Sequence, residues 1–251
     1  MSLIDCTVCG ATTEPVLGLC ADCNSTPRQR AMALGVLRAL KRQETSVQAC
    51  KMDKSREGLG ITDWFILAAI LANRFSYTNS FFHKFPKLDI CAPPDVAVGS
   101  FEFCTCSDVL EHVLPPVSKA FAGLFAMLKP GGAAVLSVPA TEQVSGIYEK
   151  YPNLYEFSIV EDRDGSYRLE NITRDGIVEI FHNLNFHGGP GTTLEMRVFS
   201  WNGFLTALSD AGFVGIESVE NVPVHGIPGR PLSGNVVIAR KPAYRVPRIE
   251  T

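Results

Sequence analysis

The sequence predicts a doubly wound α/β domain that follows a small metal-binding module. Two observations support this fold class. Apolar, β-prone runs alternate with amphipathic helical runs through most of the chain, which is typical of a mostly parallel sheet with helices on both faces. Four cysteines stand close together near the N-terminus. With 251 residues, 46% of them hydrophobic, the chain is long enough for one large core and a small appendage.

The N-terminal module, residues 1–26, carries two Cys-x-x-Cys pairs. Each pair brings two thiolates to one side of a tight turn, and two pairs complete the tetrahedral all-sulfur shell that zinc prefers. Disulfides or a redox pair would be the alternatives, but a thioredoxin-like site needs only one pair. A site with four protein ligands has no open position, so we predict a structural zinc ion. The predicted ligands are Cys6, Cys9, Cys20 and Cys23.

Residues 27–45 predict an amphipathic helix that connects the module to the larger domain. This segment contains five basic residues and lacks acidic ones until its end, so it could bind phosphates or form a solvated helix surface. The net charge of −3 argues against a surface built to hold nucleic acid. The basic residues are Arg28, Arg30, Arg38, Lys41 and Arg42.

The main domain, residues 46–240, begins with a segment that we interpret as strand, glycine loop and helix. Ser46–Met52 is a candidate first strand, and Gly58 and Gly60 then precede Thr62, a good helix N-cap residue. Residues 75–82 follow as the second strand. This order predicts a short glycine loop at the carboxyl end of the first strand.

A clearer strand, helix and strand follow in the middle of the domain. Residues 100–110 form an apolar run that ends in the polar Ser107 and Asp108, as expected for a central parallel strand that ends at a ligand site. A helix begins near Pro116 and stops at Pro130, and residues 133–139 form the next buried strand.

The last part of the chain predicts an insertion, a helix and two strands. Residues 140–200 are rich in histidine, glycine and charge, with two strands around an Asp164–Gly165 turn, and we predict that they form a lid over the site. Helix 200–213 and strands 214–222 and 234–241 follow, and 241–251 is a tail. The acceptor-side catalytic candidates in the lid are His182, His187 and Tyr148.

The run "FEFCTCSDVLEHVLPPVSKAFAGLFAMLKPGGAAVLSVP" resembles the middle of class I S-adenosylmethionine-dependent methyltransferases. The resemblance implies a seven-stranded sheet with an antiparallel last strand, and S-adenosylmethionine as the methyl donor. Glu111 belongs to the same motif, where it is either structural or functional. By this resemblance and the glycine segment, the candidate donor-binding residues are Gly58, Gly60, Thr62, Asp63, Asn79, Asp89, Ile90, Ser107, Asp108 and His112.

The glycine loop is where the sequence departs from the family. Members have a Gly-x-Gly-x-Gly loop after the first strand, whereas this chain has only "EGLGITDW". Asp63 would repel the pyrophosphate of a dinucleotide at a helix start, but it would attract the sulfonium and ammonium groups of S-adenosylmethionine. Capping of the helix is the alternative role for Asp63.

The sequence therefore predicts a methyltransferase that acts on a small molecule, at oxygen or nitrogen. An RNA or nucleotide methyltransferase that uses the zinc module and basic helix is the first alternative. A degenerate, non-catalytic interaction module stapled by zinc is the second. No apolar run is long enough for a membrane span, and residues 1–10 lack a signal-peptide pattern, so we expect no membrane partner and a cytoplasmic location.

Overall fold

The structure is a computed structural model, and it describes residues 3–219 and 236–243. The helices are α1 (Pro27–Ala39), α2 (Phe65–Arg74), α3 (Ser118–Met127) and α4 (Trp201–Asp210), with short 3₁₀ turns at Asp95–Ala97 and Leu110–His112. The strands are β1 (Ile4–Asp5), β2 (Thr12–Thr13), β3 (Asp53–Ile61), β4 (Phe75–Ser80), β5 (Phe101–Ser107), β6 (Leu128–Ser137), β7 (Ile147–Glu149), β8 (Glu156–Glu161), β9 (Tyr167–Ile172), β10 (Val178–Phe181), β11 (Phe186–His187), β12 (Thr193–Leu194), β13 (Arg197–Phe199), β14 (Val214–Ser218) and β15 (Val236–Arg240).

The main sheet is mixed and has the order β4-β3-β5-β6-β15-β14. Strands β3, β4, β5 and β6 are parallel, while β15 is antiparallel to both of its neighbours. The expected antiparallel last strand is therefore confirmed. The described residues form six strands in this sheet, so the expected count of seven is not confirmed. Between β4 and β5 there is only one isolated bridge, Phe81 to Lys87, and three prolines there, Pro86, Pro93 and Pro94, cannot donate to a strand ladder.

Helices cover both faces of the sheet, which confirms the doubly wound arrangement. Buried side chains of α1 and α2 share one core with one face, and those of α3 and α4 share a second core with the other. Helix α1 begins at Thr26 with a capping box to Gln29. A Cβ added at Gly35 would lie 2.5 Å from Val135 Cγ1, so α1 packs directly on β6. The helix predicted as a connector thus also covers the sheet.

The first strand of the domain begins later than predicted. Residues 46–50 form turns, and the strand is β3, which contains Gly58 and Gly60 within its ladder to β4 and β5. A Cβ at Gly58 would lie 2.2 Å from Phe103 Cζ, and one at Gly60 would lie 1.9 Å from Tyr77 Oη. The predicted glycine loop was therefore wrong, because these glycines make room for aromatic side chains of the neighbouring strands.

The start of α2 also differs from the prediction. Its N-cap residue is Trp64, without a side-chain capping bond, and Thr62 lies two residues earlier with φ of +59°. Thr62 is therefore not the N-cap: it follows the last strand residue directly, and its N–H donates to the Ser80 carbonyl at 2.8 Å.

The insertion folds into small antiparallel pieces beside the main sheet. Strands β8, β9 and β10 form a three-stranded sheet, β11 pairs with β12, and β7 pairs with β13. The predicted hairpin around Gly165 is confirmed by β8 and β9. The insertion has a small core of its own, which contains Tyr151, Leu169, Leu194 and Met196. Among the described residues the longest helix has 13 residues, and none of these helices is long and apolar enough to span a membrane.

Three predicted segments near the C-terminus fall partly outside the described residues. Of the predicted strand 234–241, only residues 236–241 are described. Strand β14 ends at Ser218, and residues 220–222 of the predicted strand 214–222 are not described. Of the predicted tail 241–251, only residues 241–243 are described.

Candidate active site

The carboxyl ends of β3, β4 and β5 meet at one edge of the sheet. Ile61 pairs with Ser80 on one side and with Cys106 on the other. Parallel strands of a doubly wound sheet bind ligands at this edge. The residues that follow the three strands, with Asn79 just inside β4, are therefore the candidates for a ligand site.

Asp63, next to the end of β3, is buried in a hydrogen-bonded network. Tyr77 Oη and Thr105 Oγ1 both donate to its Oδ2, each at 2.5 Å. Burial raises the pKa of Asp63, and the two hydrogen bonds oppose that shift. Its side chain is 8% exposed and faces these hydroxyls, so it is not at a ligand-facing helix start as the sequence suggested.

Asn79 holds the backbone of the turn that follows β3. Its side chain accepts from the Asp63 N–H at 2.9 Å and donates to the Asp63 carbonyl at 3.0 Å. A side-chain amide can make both bonds at once because it has a donor and an acceptor. Asn79 therefore orients the turn that follows β3.

Asp108, at the end of β5, forms an ion pair with Arg28 of α1. Asp108 has a positive φ of +54°, a backbone conformation that is uncommon for residues other than glycine and typical of a tight turn. The two side chains are 27% and 31% exposed, respectively, so a ligand can reach them. This contact joins residues 80 positions apart and brings the basic helix to the sheet edge.

Glu111 lies one turn further and is 1% exposed. Neither carboxylate oxygen has a hydrogen-bond partner in the described part of the chain. Burial, with a smaller contribution from the nearby Asp108, raises the pKa of Glu111 to about 8. A buried carboxylate without partners is costly, so this residue needs an explanation.

The insertion is tied to this segment by specific contacts. His112 Nδ1 lies 2.9 Å from the Leu194 carbonyl, and the Met196 N–H donates to the Glu111 carbonyl at 2.7 Å. Arg197, fully buried, bonds both oxygens of Glu149 at 3.0 Å and also donates to the carbonyl groups of Leu110 and Val113. These contacts hold the segment after β5 against the insertion.

Of the predicted acceptor-side residues, only His187 contacts this segment. Its ring is perpendicular to that of His112, with centroids 5.5 Å apart. His182 is exposed, and Tyr148 is 58% exposed in β7. The structure therefore brings His187, but not His182, into contact with the motif after β5.

Asp89 and Ile90 lie in the segment between β4 and β5. Asp89 Oδ1 accepts from the Cys91 N–H at 2.8 Å, and the side chain is half-buried. Ile90 is buried, and its carbonyl would lie 1.7 Å from a Cβ added at Gly123 of α3. The close approach of α3 thus fixes this segment.

The four N-terminal cysteines converge as predicted. Sγ of Cys6 lies 3.7 Å from that of Cys23, Sγ of Cys9 lies 3.8 Å from that of Cys20, and all four sulfurs lie within 4.8 Å of one another. A tetrahedral zinc with Zn–S bonds of about 2.3 Å requires sulfurs about 3.8 Å apart. The residues therefore fit a zinc ion. Arg30, 1% exposed, lies beside them, bonded to the Ser25 and Gly18 carbonyls, and its charge offsets that of the thiolates.

Sequence reasoning missed three residues of this edge. The partner of Arg28 lies far away in the chain. Tyr77 and Thr105 lie inside predicted strands, where the sequence does not show which groups they meet. Only the polar character of Thr105 inside an apolar strand could have signalled a buried partner.

Comparisons with known proteins identify the family of this chain. A family model described as a methyltransferase domain matches residues 33–187. The structure is similar to a 1,6-didemethyltoxoflavin-N1-methyltransferase from Burkholderia thailandensis, at 15% identity and a TM-score of 0.45, covering 84% of this chain and 78% of that one. It is also similar to an S-adenosylmethionine-dependent methyltransferase from Clostridium acetobutylicum, at 13% identity and a TM-score of 0.47, covering 86% and 92%. No curated protein matches the sequence. Because the family model covers more than half of the chain, the chain belongs to the methyltransferase domain family.

Proposed function

We propose that this enzyme transfers a methyl group from S-adenosylmethionine to an oxygen or nitrogen of a small molecule. The observation that carries the proposal is the ion pair between Asp108 and Arg28 at the carboxyl edge of the sheet. The amino-acid end of S-adenosylmethionine has an ammonium and a carboxylate, and these two side chains offer the complementary charges.

The other donor contacts follow from position at the same edge. Ser107 lies beside Asp108 at the end of β5, and Thr62 is exposed after β3. Asp89, which is half-buried after β4, would accept from the ribose or adenine, and Ile90 would pack beside it. Asp63, Gly58 and Gly60 act through the shape of the β3 corner, which Asn79 holds in place.

The chemical step is a displacement in line. A lone pair of the acceptor atom forms the new bond to the methyl carbon while the carbon–sulfur bond breaks. The electron pair of the broken bond stays on sulfur, so the positively charged sulfonium becomes a neutral thioether. An acceptor hydroxyl or ammonium must lose one proton, which passes to a base or to solvent. His182, His187 and Tyr148 in the insertion are the candidate bases, and the insertion would exclude water from the site.

A small-molecule acceptor is favoured over RNA by the contacts of the basic helix. Arg38 pairs with Glu217 at 3.6 Å and Arg42 with Asp53 at 2.7 Å, Arg30 is buried in the cysteine module, and Arg28 belongs to the donor site that we propose. Cations that are already paired or buried are poorly placed to bind a phosphate backbone.

We also propose that the four cysteines bind a structural zinc ion. Cys6, Cys20 and Cys23 are buried and join the core that α1 shares with the sheet. Loss of the metal would therefore weaken the packing of α1 as well as the module.

Calorimetric titration with S-adenosylmethionine tests the enzymatic proposal. We expect binding at about the micromolar level, or about −8 kcal/mol. Asp89→Ala should weaken this binding. The absence of heat would contradict the proposal and favour a non-catalytic interaction module.

Metal analysis tests the zinc proposal. Wild-type protein should hold one zinc per chain, and the double variant Cys20→Ser, Cys23→Ser should hold none and unfold at a lower temperature. Cys91→Ser, which changes a half-buried cysteine outside the cluster, is the control and should keep the metal. Equal zinc content in all three proteins would refute the site.

A further inference from the structure

We propose that Glu111, His112 and His187 form a second metal site, which binds a divalent first-row cation at the carboxyl end of β5. One carboxylate oxygen and one nitrogen of each imidazole lie within 4.8 Å of one another. His112 Nε2 lies 3.7 Å from Glu111 Oε1. Ligand atoms that each lie about 2.1 Å from one ion are separated by about 3 to 4 Å, so a small movement completes the site.

The tautomer of His112 suits a ligand. Its Nδ1 lies 2.9 Å from the Leu194 carbonyl, which can only accept, so Nδ1 carries the proton. Nε2, the nitrogen near Glu111, then has a free lone pair. Histidines that bind metals usually donate their other N–H to a carbonyl or carboxylate in this way.

The burial of Glu111 is an independent indication. The side chain is 1% exposed, and neither of its oxygens accepts a hydrogen bond from any described residue. Its oxygens therefore have room for a partner that the described side chains do not supply, and a cation next to His112 would be that partner.

The cations around the site are already engaged. Arg28 pairs with Asp108, Lys150 with Glu195 at 3.0 Å, and Arg197 with Glu149. Glu195 and Asp108 add negative potential at Glu111, which favours a bound cation further.

The ligand types indicate the class of ion. Two imidazoles and a carboxylate suit divalent iron, manganese, cobalt or zinc, whereas the four thiolates of the N-terminal cluster select zinc. Three protein ligands leave coordination positions open. If the proposed methyl transfer is correct, an acceptor hydroxyl bound there would lose its proton more easily, because a cation lowers the pKa of a bound oxygen acid.

Manganese binding tests the site without donor or acceptor. Protein that already holds one equivalent of zinc is titrated with Mn²⁺, and free Mn²⁺ is measured by electron paramagnetic resonance. Mn²⁺ competes poorly for the thiolates, so it reports on the second site. We expect one Mn²⁺ per chain, and at least tenfold weaker binding for Glu111→Gln and for His187→Ala.

His182→Ala is the matched control, because His182 is exposed in the same insertion and does not contact the cluster. It should bind Mn²⁺ like the wild type. Circular dichroism should show all variants folded, since His187 is exposed and Glu111→Gln keeps the size and shape of the buried side chain. Absence of Mn²⁺ binding, or equal affinities of the wild type and both cluster variants, would overturn the site. Mn²⁺ binding by a protein that gives no heat with S-adenosylmethionine would instead contradict only the proposed function.

Discussion

The ends of β3 and β5 lie side by side at the sheet edge but satisfy their polar groups differently. After β3, Asp63 accepts from Tyr77 and Thr105, and Asn79 bonds the backbone of the turn. After β5, the carboxylate oxygens of Glu111 lack a hydrogen-bond partner among the described residues, and Asp108 is held by one partly exposed arginine.

This difference indicates a structural role for the turn after β3, residues 62–63 (the β3 corner), and a ligand-binding role for the segment after β5, residues 108–112 (the β5 corner). Buried polar groups that satisfy one another rigidify a fold, whereas buried groups without partners are costly and are retained where a ligand supplies the partner. The β3 corner should therefore matter most for stability, and the β5 corner most for binding.

The largest effect that would test this comparison is expected at Gly60. Gly60→Ala should lower the free energy of unfolding by about 3 kcal/mol, because its Cβ would overlap Tyr77 Oη. Urea denaturation measures the loss. The same substitution in a Tyr77→Phe background should cost less, because the hydroxyl is gone, and an equal cost in both backgrounds would contradict the overlap.

Removal of the Asp63 carboxylate is expected to have the next largest effect. Asp63→Ala should lower the free energy of unfolding by about 2 kcal/mol, because the buried hydroxyls of Tyr77 and Thr105 lose their shared acceptor. Asp63→Asn keeps an acceptor oxygen and should lose less. If Asp63→Ala kept full stability but lost S-adenosylmethionine binding, Asp63 would belong to the donor site and the comparison would fail.

At the β5 corner the expected effect is on affinity. Asp108→Asn should weaken S-adenosylmethionine binding about tenfold, or about 1.4 kcal/mol, because the ammonium of the donor loses a charged partner. Stability should change little, because ion pairs that are partly exposed contribute little to folding. Calorimetry and thermal melting together measure both. Unchanged affinity in Asp108→Asn would remove Asp108 from the donor site.

The smallest expected effect has the opposite sign. Glu111→Met should raise the free energy of unfolding by about 1 kcal/mol in protein that holds only its one equivalent of zinc, because it replaces an unpartnered buried carboxylate with an apolar side chain. Urea denaturation with and without Mn²⁺ provides the measurement. A clear loss of stability without Mn²⁺ would show that Glu111 has a structural role. The segment after β5 would then not differ in role from the turn after β3.

Much of the fold could be predicted from local patterns. The alternation of strands and helices, the strand that ends at Ser107 and the convergence of two cysteine pairs all depend on residues close together in the chain. The helix that we predicted to stop at Pro130 ends instead at Met127, and Pro130 lies inside β6. The predictions that failed involve strand boundaries. Gly58 and Gly60 look like loop residues because glycine permits turns, and only the aromatic rings of β4 and β5 beside them explain why they belong to a strand.

The sequence by itself therefore determined the class of fold, the zinc ligands as candidates and the strand ends where a ligand is expected. The tertiary structure alone decided which side chains meet at those ends: Arg28 with Asp108, Asp63 with Tyr77 and Thr105, and His187 with His112. The physical reason is that periodicity and capping act over a few residues, whereas these pairs depend on strand register and on how the insertion packs against the segment after β5.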